Sequence, residues 1–172
     1  AWTDTREEAA WLPSRQAHPG RAPASERIAL ARAALDLGPS PELEWSIRTT
    51  LGHLFLQSSQ VDLATREFTR VVNGDPDSDV SMSARFGLAE GRRRQGRLVE
   101  ARRHYDEVAT VHPEHRRGRY ALLLAGDCAA YLGDTTTAER RYRHLVEEFP
   151  TSVYVDDALY RWGVLLERAG RY

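Results

Sequence analysis

Apolar residues recur along this chain in steps of three and four, which is the spacing of one face of an α-helix. Three segments show it most clearly, and each carries an alanine followed four positions later by an aromatic residue. These pairs are Ala64 and Phe68, Ala101 and Tyr105, and Ala138 and Tyr142. No segment sustains the period-two alternation of a half-buried strand, so we expect an all-α fold.

The pattern repeats with a period of 37 residues. Four prolines mark the period: Pro39, Pro76, Pro113 and Pro150. A small residue follows each proline by 13 positions, at Gly52, Ala89, Gly126 and Gly163. A fixed period on this scale indicates a repeat array, in which each unit buries its apolar face by stacking on its neighbours. Such arrays mostly present a surface to a partner, so we expect an interaction protein rather than an enzyme.

Turn and capping residues divide each period into two helices. The expected helices, with consecutive ones antiparallel, are 41–57, 61–74, 79–95, 97–111, 116–132, 134–148 and 152–169. Residues 25–37 read as the second helix of a degenerate first unit, and residues 3–16 as its first helix. The predicted single domain, 1–172, thus divides into 1–40, 41–77, 78–114, 115–151 and a truncated unit, 152–172.

The repeated residues resemble the tetratricopeptide signature, in which W-x2-L-G-x2-Y is followed by A-x3-F and then by P. The matching residues are Leu51-Gly52-x2-Phe55, Ala64-x3-Phe68 and Pro76, and later Gly126, Ala138-x3-Tyr142 and Pro150. The resemblance begins at Ser40 and implies a right-handed α-solenoid of four repeats plus a C-terminal half repeat. The segment from Phe149 to Tyr154 is also similar to a linker of bacterial envelope tetratricopeptide proteins such as BamD and CpoB, which implies a bacterial origin.

The resemblance also implies a ligand surface, because the first helix of each unit lines a concave groove in this family. The positions of this chain that match the groove are His53, Phe86, Glu90, Arg93, Arg94, Tyr120, Leu123, Asp127, Tyr131, Tyr160 and Val164. Such a mixture of aromatic, apolar and charged residues suits a peptide or a helix of a protein partner. The alternative is that some of these aromatic residues simply pack against the neighbouring unit.

Charge narrows the choice of partner. The net charge is −1, but basic residues are concentrated between Arg92 and Arg119. This region could dock an acidic partner, or it could be a solvated surface of intrahelical ion pairs. Nucleic acid is not expected, because base-stacking aromatic residues are not interleaved with the arginines. No apolar run approaches the ~20 residues that cross a bilayer.

Catalytic chemistry has little support in the sequence. Glycine-rich phosphate loops, G-x-S-x-G, H-E-x-x-H and Cys-x-x-Cys motifs are all missing. We expect Cys128 to be an inert packing residue. His112 and His115 stand near His104, but Pro113 holds the first two in a loop, so no metal site is expected. We therefore predict no enzyme activity, no cofactor and no metal.

Two other functions fit the same features. The chain could be an accessory module of a larger enzyme or signalling protein, or a self-assembling structural protein. Leu159, Trp162, Gly163 and Leu166 form the apolar stripe of a first helix whose partner helix would begin near Tyr172. We therefore expect the chain to continue, or a second copy to cover the stripe in a homodimer. The sequence leaves the bacterial cytoplasm and the periplasm or cell envelope equally open as compartments.

Overall fold

The computed structural model describes residues 22–74 and 78–171. Within these ranges the chain forms eight α-helices and no β-strand. The helices are α1 (Ala24–Asp36), α2 (Pro41–Gln57), α3 (Val61–Gly74), α4 (Asp79–Arg94), α5 (Leu98–Val111), α6 (Arg116–Tyr131), α7 (Thr135–Glu148) and α8 (Val155–Arg168). The predicted helix 3–16, the repeat residue Pro76 and the terminal Tyr172 lie outside the described residues.

The observed helix bounds agree with the predicted ones to within a few residues. The largest difference is at α8, which was predicted to start at residue 152 and starts at Val155. The preceding residues form tight turns instead, in which Ser152 N–H donates to Phe149 O at 2.9 Å and Val155 N–H donates to Ser152 O at 3.1 Å. The predicted cap at Asp134 is present, because its carboxylate accepts from the Thr137 N–H at 3.1 Å.

Each helix packs against the next one along the chain. In addition, α2 contacts α4, and α4 contacts α6, so the first helices of neighbouring pairs lie side by side. The architecture is an all-α, right-handed solenoid of antiparallel helix pairs, which confirms the predicted fold class. The pairs are α2–α3, α4–α5 and α6–α7, with α1 before them and α8 after them.

A buried ring against a small residue sets the spacing inside the pairs. A Cβ atom added to Gly52 would lie 2.5 Å from the ring of Phe68, and one added to Gly126 would lie 2.5 Å from the ring of Tyr142. Phe68 also reaches the next pair, where a Cβ at Gly87 would lie 2.4 Å from its ring. Because each ring occupies the space that a side chain would take, glycine at these positions allows the helices to approach closely.

Candidate functional site

Three aromatic rings, two from successive first helices and one from the turn before α8, stack along one surface. Phe86 in α4 and Tyr120 in α6 have ring centroids 5.8 Å apart, and Tyr120 lies 4.9 Å from Tyr154, which precedes α8. All three side chains are half-buried. We call Phe86, Tyr120 and Tyr154 the aromatic ladder. Tyr154 was not among the predicted residues, although the equal spacing of the three (120 − 86 = 154 − 120 = 34) is a signal in the sequence that could have found it.

Two arginines lie over the ends of the ladder. The guanidinium carbon of Arg117 is 5.7 Å from the centre of the Phe86 ring, and that of Arg116 is 6.0 Å from the centre of the Tyr154 ring. Neither forms an ion pair with a carboxylate of residues 22–74 or 78–171. Both stand in the first turn of α6, which has no acidic residue to offset the positive end of the helix dipole. This end of the surface is therefore basic.

His53 lies near Arg117. Its Nε2 is 3.4 Å from the Ser83 hydroxyl, and its ring meets that of Phe68 edge-on at 5.0 Å. Burial lowers the pKa of His53, and the positive charge of Arg117 lowers it further. The His53 ring is therefore neutral at pH 7.

Glu90 is saturated by hydrogen bonds from the protein itself. Its Oε1 accepts from Arg93 Nη2 at 2.7 Å and from Arg94 Nε at 3.1 Å, and its Oε2 accepts from the Tyr105 hydroxyl at 3.0 Å. Burial opposes ionisation of this carboxyl group, but the hydrogen bonds from Arg93, Arg94 and Tyr105 outweigh it, so the pKa of Glu90 is lowered. Arg94 also donates to the Leu56 carbonyl at 2.8 Å, which ties α4 to the end of α2.

Asp127 repeats this arrangement 37 residues later. Its Oδ1 accepts from the Tyr142 hydroxyl at 2.9 Å, and its Oδ2 forms an ion pair with Arg161 of α8. Burial raises the pKa of the Tyr142 hydroxyl, and the Asp127 charge raises it further, so the hydroxyl stays a hydrogen-bond donor. The ion pair links neighbouring first helices as Arg94 does in the preceding pair.

Two open pockets have the Asp127–Arg161 ion pair in their lining. The first has a volume of about 600 Å³ and is lined by Arg93, Tyr120 and Tyr131, among others. The second has a volume of about 430 Å³ and is lined by Tyr131, Tyr160 and Val164, among others. Tyr131 is 82% exposed and Tyr160 is 74% exposed, so both rings are accessible. We call the ladder and these two pockets the central groove.

One predicted groove residue is not accessible. Leu123 was expected to face a ligand, but it is 0% exposed and belongs to the core that contains Tyr142 and Leu165. The physical reason is that α6 is followed by both α7 and α8, which cover this position. The prediction of Leu123 as a groove residue is therefore wrong.

Most of the arginine-rich region is engaged internally. Besides the pairs made by Arg93 and Arg94, the ion pairs are Arg92 with Glu100 at 3.4 Å, Arg97 with Glu100 at 2.6 Å, Arg102 with Asp134 at 2.9 Å and Arg103 with Glu107 at 3.8 Å. Arg119 donates to the Glu114 carbonyl at 3.2 Å. Arg116 and Arg117 are thus the arginines of this region whose side chains have neither a carboxylate nor a carbonyl partner among the described residues.

Other chemistry is sparse in the described part of the chain. Cys128 is a buried free thiol, and burial raises its pKa to about 11, so it is not a reactive thiolate. Residues 22–74 and 78–171 contain no group of three or more His, Cys, Asp or Glu side chains placed to hold a metal ion. None of the described helices is long and apolar enough to cross a membrane.

Comparison with known proteins gives one family match. Residues 120–152 match the model of the tetratricopeptide repeat family. The chain carries a tetratricopeptide repeat. Among solved structures it is similar to BtubC (BKLC) from P. vanneervenii, with a TM-score of 0.76 and 15% sequence identity. That match covers 86% of this chain and 66% of the other, so this chain spans just under two thirds of that protein's length. At this identity the likeness shows the fold alone, and no curated protein matches the sequence significantly.

The matched tetratricopeptide repeat coincides with the centre of the groove. It runs from Tyr120 of the ladder through Asp127, Tyr131 and Tyr142 to Ser152, just after α7. Tetratricopeptide repeats are protein–protein interaction modules, and proteins built from them are generally non-enzymatic scaffolds. The comparison therefore supports an interaction module, and the repeat supplies several side chains of the central groove.

Proposed function

We propose that this chain is a non-enzymatic scaffold that binds an acidic segment of a protein partner in the central groove, on the concave face of the solenoid. The observation that carries the proposal is the pair Arg116 and Arg117, which lie over the aromatic ladder and have no ion-pair partner among the described residues. The matched tetratricopeptide repeat supports the broader class of function.

The expected charge of the partner follows from which charged residues near the ladder already have hydrogen-bond or ion-pair partners. Glu90 accepts hydrogen bonds from Arg93, Arg94 and Tyr105, and the charge of Asp127 is offset by Arg161, so a basic ligand meets no uncompensated carboxylate in these two acids. An Asp or Glu of the ligand, in contrast, gains charge-assisted hydrogen bonds from Arg116 and Arg117. An apolar side chain next to it would pack on the Tyr120 ring. Interface energy concentrates in aromatic and arginine anchors of this kind.

Selection from a random peptide library displayed on phage tests the proposal. The immobilised 172-residue chain should enrich peptides that contain Asp or Glu beside an aromatic or aliphatic residue. Synthetic peptides from the selection should bind about tenfold or more weakly to the Arg116→Glu/Arg117→Glu variant, because charge reversal turns attraction into repulsion. Tyr120→Ala should also weaken binding, through lost contact with the ring. Fluorescence anisotropy of the labelled peptide measures each affinity.

A control variant makes the same change in net charge at two arginines outside the groove. Arg66 in α3 and Arg140 in α7 are exposed and form no ion pair among the described residues, so Arg66→Glu/Arg140→Glu should leave the affinity within about twofold. Enrichment of basic peptides, or equal losses in the two double variants, would contradict the proposal.

The proposal also extends to the cellular compartment of the protein and to its assembly with other chains. The resemblance of residues 149–154 to an envelope linker favours a bacterial protein of this type, in the cytoplasm or the cell envelope. As an accessory module of a larger enzyme or signalling protein, the chain would use the same groove to recruit a partner. A homodimer through the outer face of α8, where Leu159 is 46% exposed, is a further candidate.

A further inference from the structure

A second cavity, separate from the central groove, lies between α3 and the turn that joins α4 to α5. It has a volume of about 420 Å³. Four arginines line it: Arg66 and Arg70 of α3, Arg92 of α4 and Arg97 just before α5. It shares no lining residue with the two pockets of the central groove. We call this cavity the arginine pocket.

Arg92 stands where the neighbouring pairs have buried apolar residues. Its equivalents are Phe55 one period earlier and Ala129 one period later, which are 2% and 0% exposed. The Nε atom of Arg92 is buried and has no hydrogen-bond partner among the described residues. The carboxylate of Glu100 lies 3.4 Å from it. Because a buried and loosely paired guanidinium is costly, the packing of the repeat does not explain an arginine at this position.

Arg97 breaks a second local rule. It occupies the N-cap of α5, and its side chain makes no capping hydrogen bond. One period later the same position is Asp134, whose carboxylate caps α7. Aspartate is a preferred N-cap residue, and the helix dipole disfavours a positive charge at this end of a helix. The stability of α5 therefore does not explain Arg97 either.

The positive charge of the arginine pocket is not a property of the repeat. Three of its lining positions, which are occupied by Thr69, Arg70 and Arg97, carry acids one period later. These acids are Asp106, Glu107 and Asp134. Each of them forms an ion pair with an arginine, so the equivalent surface there is neutralised within the protein.

The guanidinium groups of the arginine pocket keep donors for a ligand. A guanidinium carries five N–H donors. The side chain of Arg66 forms no ion pair or hydrogen bond with a described residue. The other three use a minority of their donors, and their partners are Glu67 for Arg70, Gln95 and Glu100 for Arg92, and Glu100 for Arg97. An anion in the pocket can therefore receive hydrogen bonds from more than one arginine.

The shape and lining of the pocket favour one class of anion. The arginines come from three separate elements, and a phosphate monoester offers them three acceptor oxygens in a tetrahedral arrangement, whereas a carboxylate offers two in a plane. Every described side chain in the lining is polar or charged, so a nucleobase or an acyl chain finds no aromatic or wholly aliphatic side chain. The carboxylate of Asp62, which accepts from Gln95 at 2.6 Å, can also accept from a hydroxyl group of a ligand.

We propose that the arginine pocket binds the phosphate group of a small hydroxylated phosphate monoester, such as a sugar phosphate. Arg66 and Arg70 contact the phosphate from α3, and Arg92 and Arg97 contact it from the opposite wall. The hydroxyl groups of the ligand lie towards Asp62. The volume of about 420 Å³ falls in the range of about 300–1,000 Å³ that is typical of small-molecule sites. Binding here is independent of peptide binding in the central groove.

Nuclear magnetic resonance titrations of the 15N-labelled 172-residue chain test the site, with chloride added to keep the ionic strength constant. Glucose 6-phosphate should shift the Nε–H signal of Arg92 and bind with a dissociation constant of about 1 mM or tighter. Inorganic phosphate should bind about threefold or more weakly, because it lacks the hydroxyl groups that add hydrogen bonds. Glucose, which lacks the phosphate, should cause no such shift.

Variants of the pocket separate binding from stability. Arg92→Leu should weaken binding of glucose 6-phosphate about tenfold or more, because a hydrogen bond between charged groups is lost. Its melting temperature should be unchanged or higher, because the neighbouring pairs have apolar residues at this position. Arg97→Asp should weaken binding similarly and gain the cap that Asp134 provides in α7. A structural role of the two arginines predicts lower melting temperatures instead.

Two control variants test whether the effect is local. Arg140→Leu removes one positive charge from an exposed position without a described ion pair, so the affinity for glucose 6-phosphate should stay within about twofold. The groove variant Arg116→Glu/Arg117→Glu should also bind glucose 6-phosphate as the parent does. Absence of saturable binding below about 10 mM, or equal losses in Arg92→Leu and Arg140→Leu, overturns the site. Equal affinity for inorganic phosphate and glucose 6-phosphate, or tighter binding of a phosphoserine peptide, overturns the proposed class of ligand.

Discussion

Alanine at Gly126 tests the contact that spaces the helices of a pair. The added methyl group would lie 2.5 Å from Cε1 and 2.9 Å from Cδ1 of Tyr142. The ring cannot easily move away, because Tyr142 is 2% exposed and its hydroxyl donates to Asp127 at 2.9 Å. Either α6 and α7 must separate, or the ring must leave its preferred rotamer and its hydrogen bond.

Three terms set the size of the effect. Overpacking a filled core costs about 1–3 kcal/mol. Alanine in a helix interior is about 1 kcal/mol more favourable than glycine, which opposes the clash. Weakening the bond from Tyr142 to the Asp127 carboxylate adds about 1 kcal/mol of destabilisation. The free energy of unfolding should therefore fall by about 1–3 kcal/mol, with a lower melting temperature of about 2–4 °C per kcal/mol.

The chain supplies its own control 37 residues later. Gly163→Ala makes the same change where a Cβ meets no atom of the described residues within 4 Å, so it should raise the free energy of unfolding by about 0.5–1 kcal/mol. Urea denaturation followed by far-UV circular dichroism measures both variants, and equal slopes with urea show that they unfold alike. If the two substitutions change stability equally, the ring against Gly126 does not set the helix spacing.

Further predictions concern the buried polar groups and the groove. Tyr142→Phe should lower the free energy of unfolding by about 1–2 kcal/mol, measured by urea denaturation, because the Asp127 carboxylate loses a donor; a smaller change than about 0.5 kcal/mol would contradict this. Burial lowers the pKa of His53 and His104 in the folded state, so the unfolded chain takes up protons first and stability should fall as pH drops below about 6.5. In the His53→Gln/His104→Gln variant, the melting temperature should fall less as the pH drops below about 6.5. If it falls as much as in the parent chain, other groups cause the pH dependence. Affinity for an acidic peptide should fall as salt rises, because exposed charges such as Arg117 are screened over about 8–10 Å; salt-independent affinity would argue against the ion pairs.

The helices and their contacts could be predicted because they depend on the repeat itself. Within a pair, the ring that fills a small-residue position follows it by 16 residues, as Phe68 follows Gly52 and Tyr142 follows Gly126. Local periodicity and steric fit are enough to establish this arrangement. The start of α8 was less predictable, because Ser152 forms a turn with Phe149 that a helical pattern does not reveal.

The groove was harder to predict because its side chains are long and pair across helices. Arg94 reaches the Leu56 carbonyl, 38 residues earlier, and Arg161 reaches Asp127, 34 residues earlier. Such partners depend on rotamers and on the packing of neighbouring helices rather than on spacing in the chain. Leu123 shows the same limit, because its exposure depends on whether a following helix covers it. Its equivalent, Tyr160, is 74% exposed.

Periodic and non-periodic residues divide the groove into a structural and a recognition part. Glu90 and Asp127 recur with the period, and each binds the hydroxyl of a tyrosine 15 residues later. In the preceding pair the ring is Phe68, which has no hydroxyl, and the acid is replaced by His53, which meets that ring edge-on. The carboxylate and the tyrosine hydroxyl are therefore absent together from the α2–α3 pair. This is expected if the hydrogen bond between them serves to stabilise the packing of the helices.

The two arginines over the ladder do not recur with the period of the repeat. Arg116 and Arg117 have Asp79 and Val80 at the equivalent positions one period earlier, and Val153 and Tyr154 one period later. Residues that maintain a repeat fold are constrained to recur, because each pair must stack on the next in the same way. Side chains that break the period and remain without a described ion-pair partner are free of that constraint. Specificity for a partner should therefore reside in these arginines and the ladder, and exchange of Glu90 or Asp127 should change stability before it changes ligand choice.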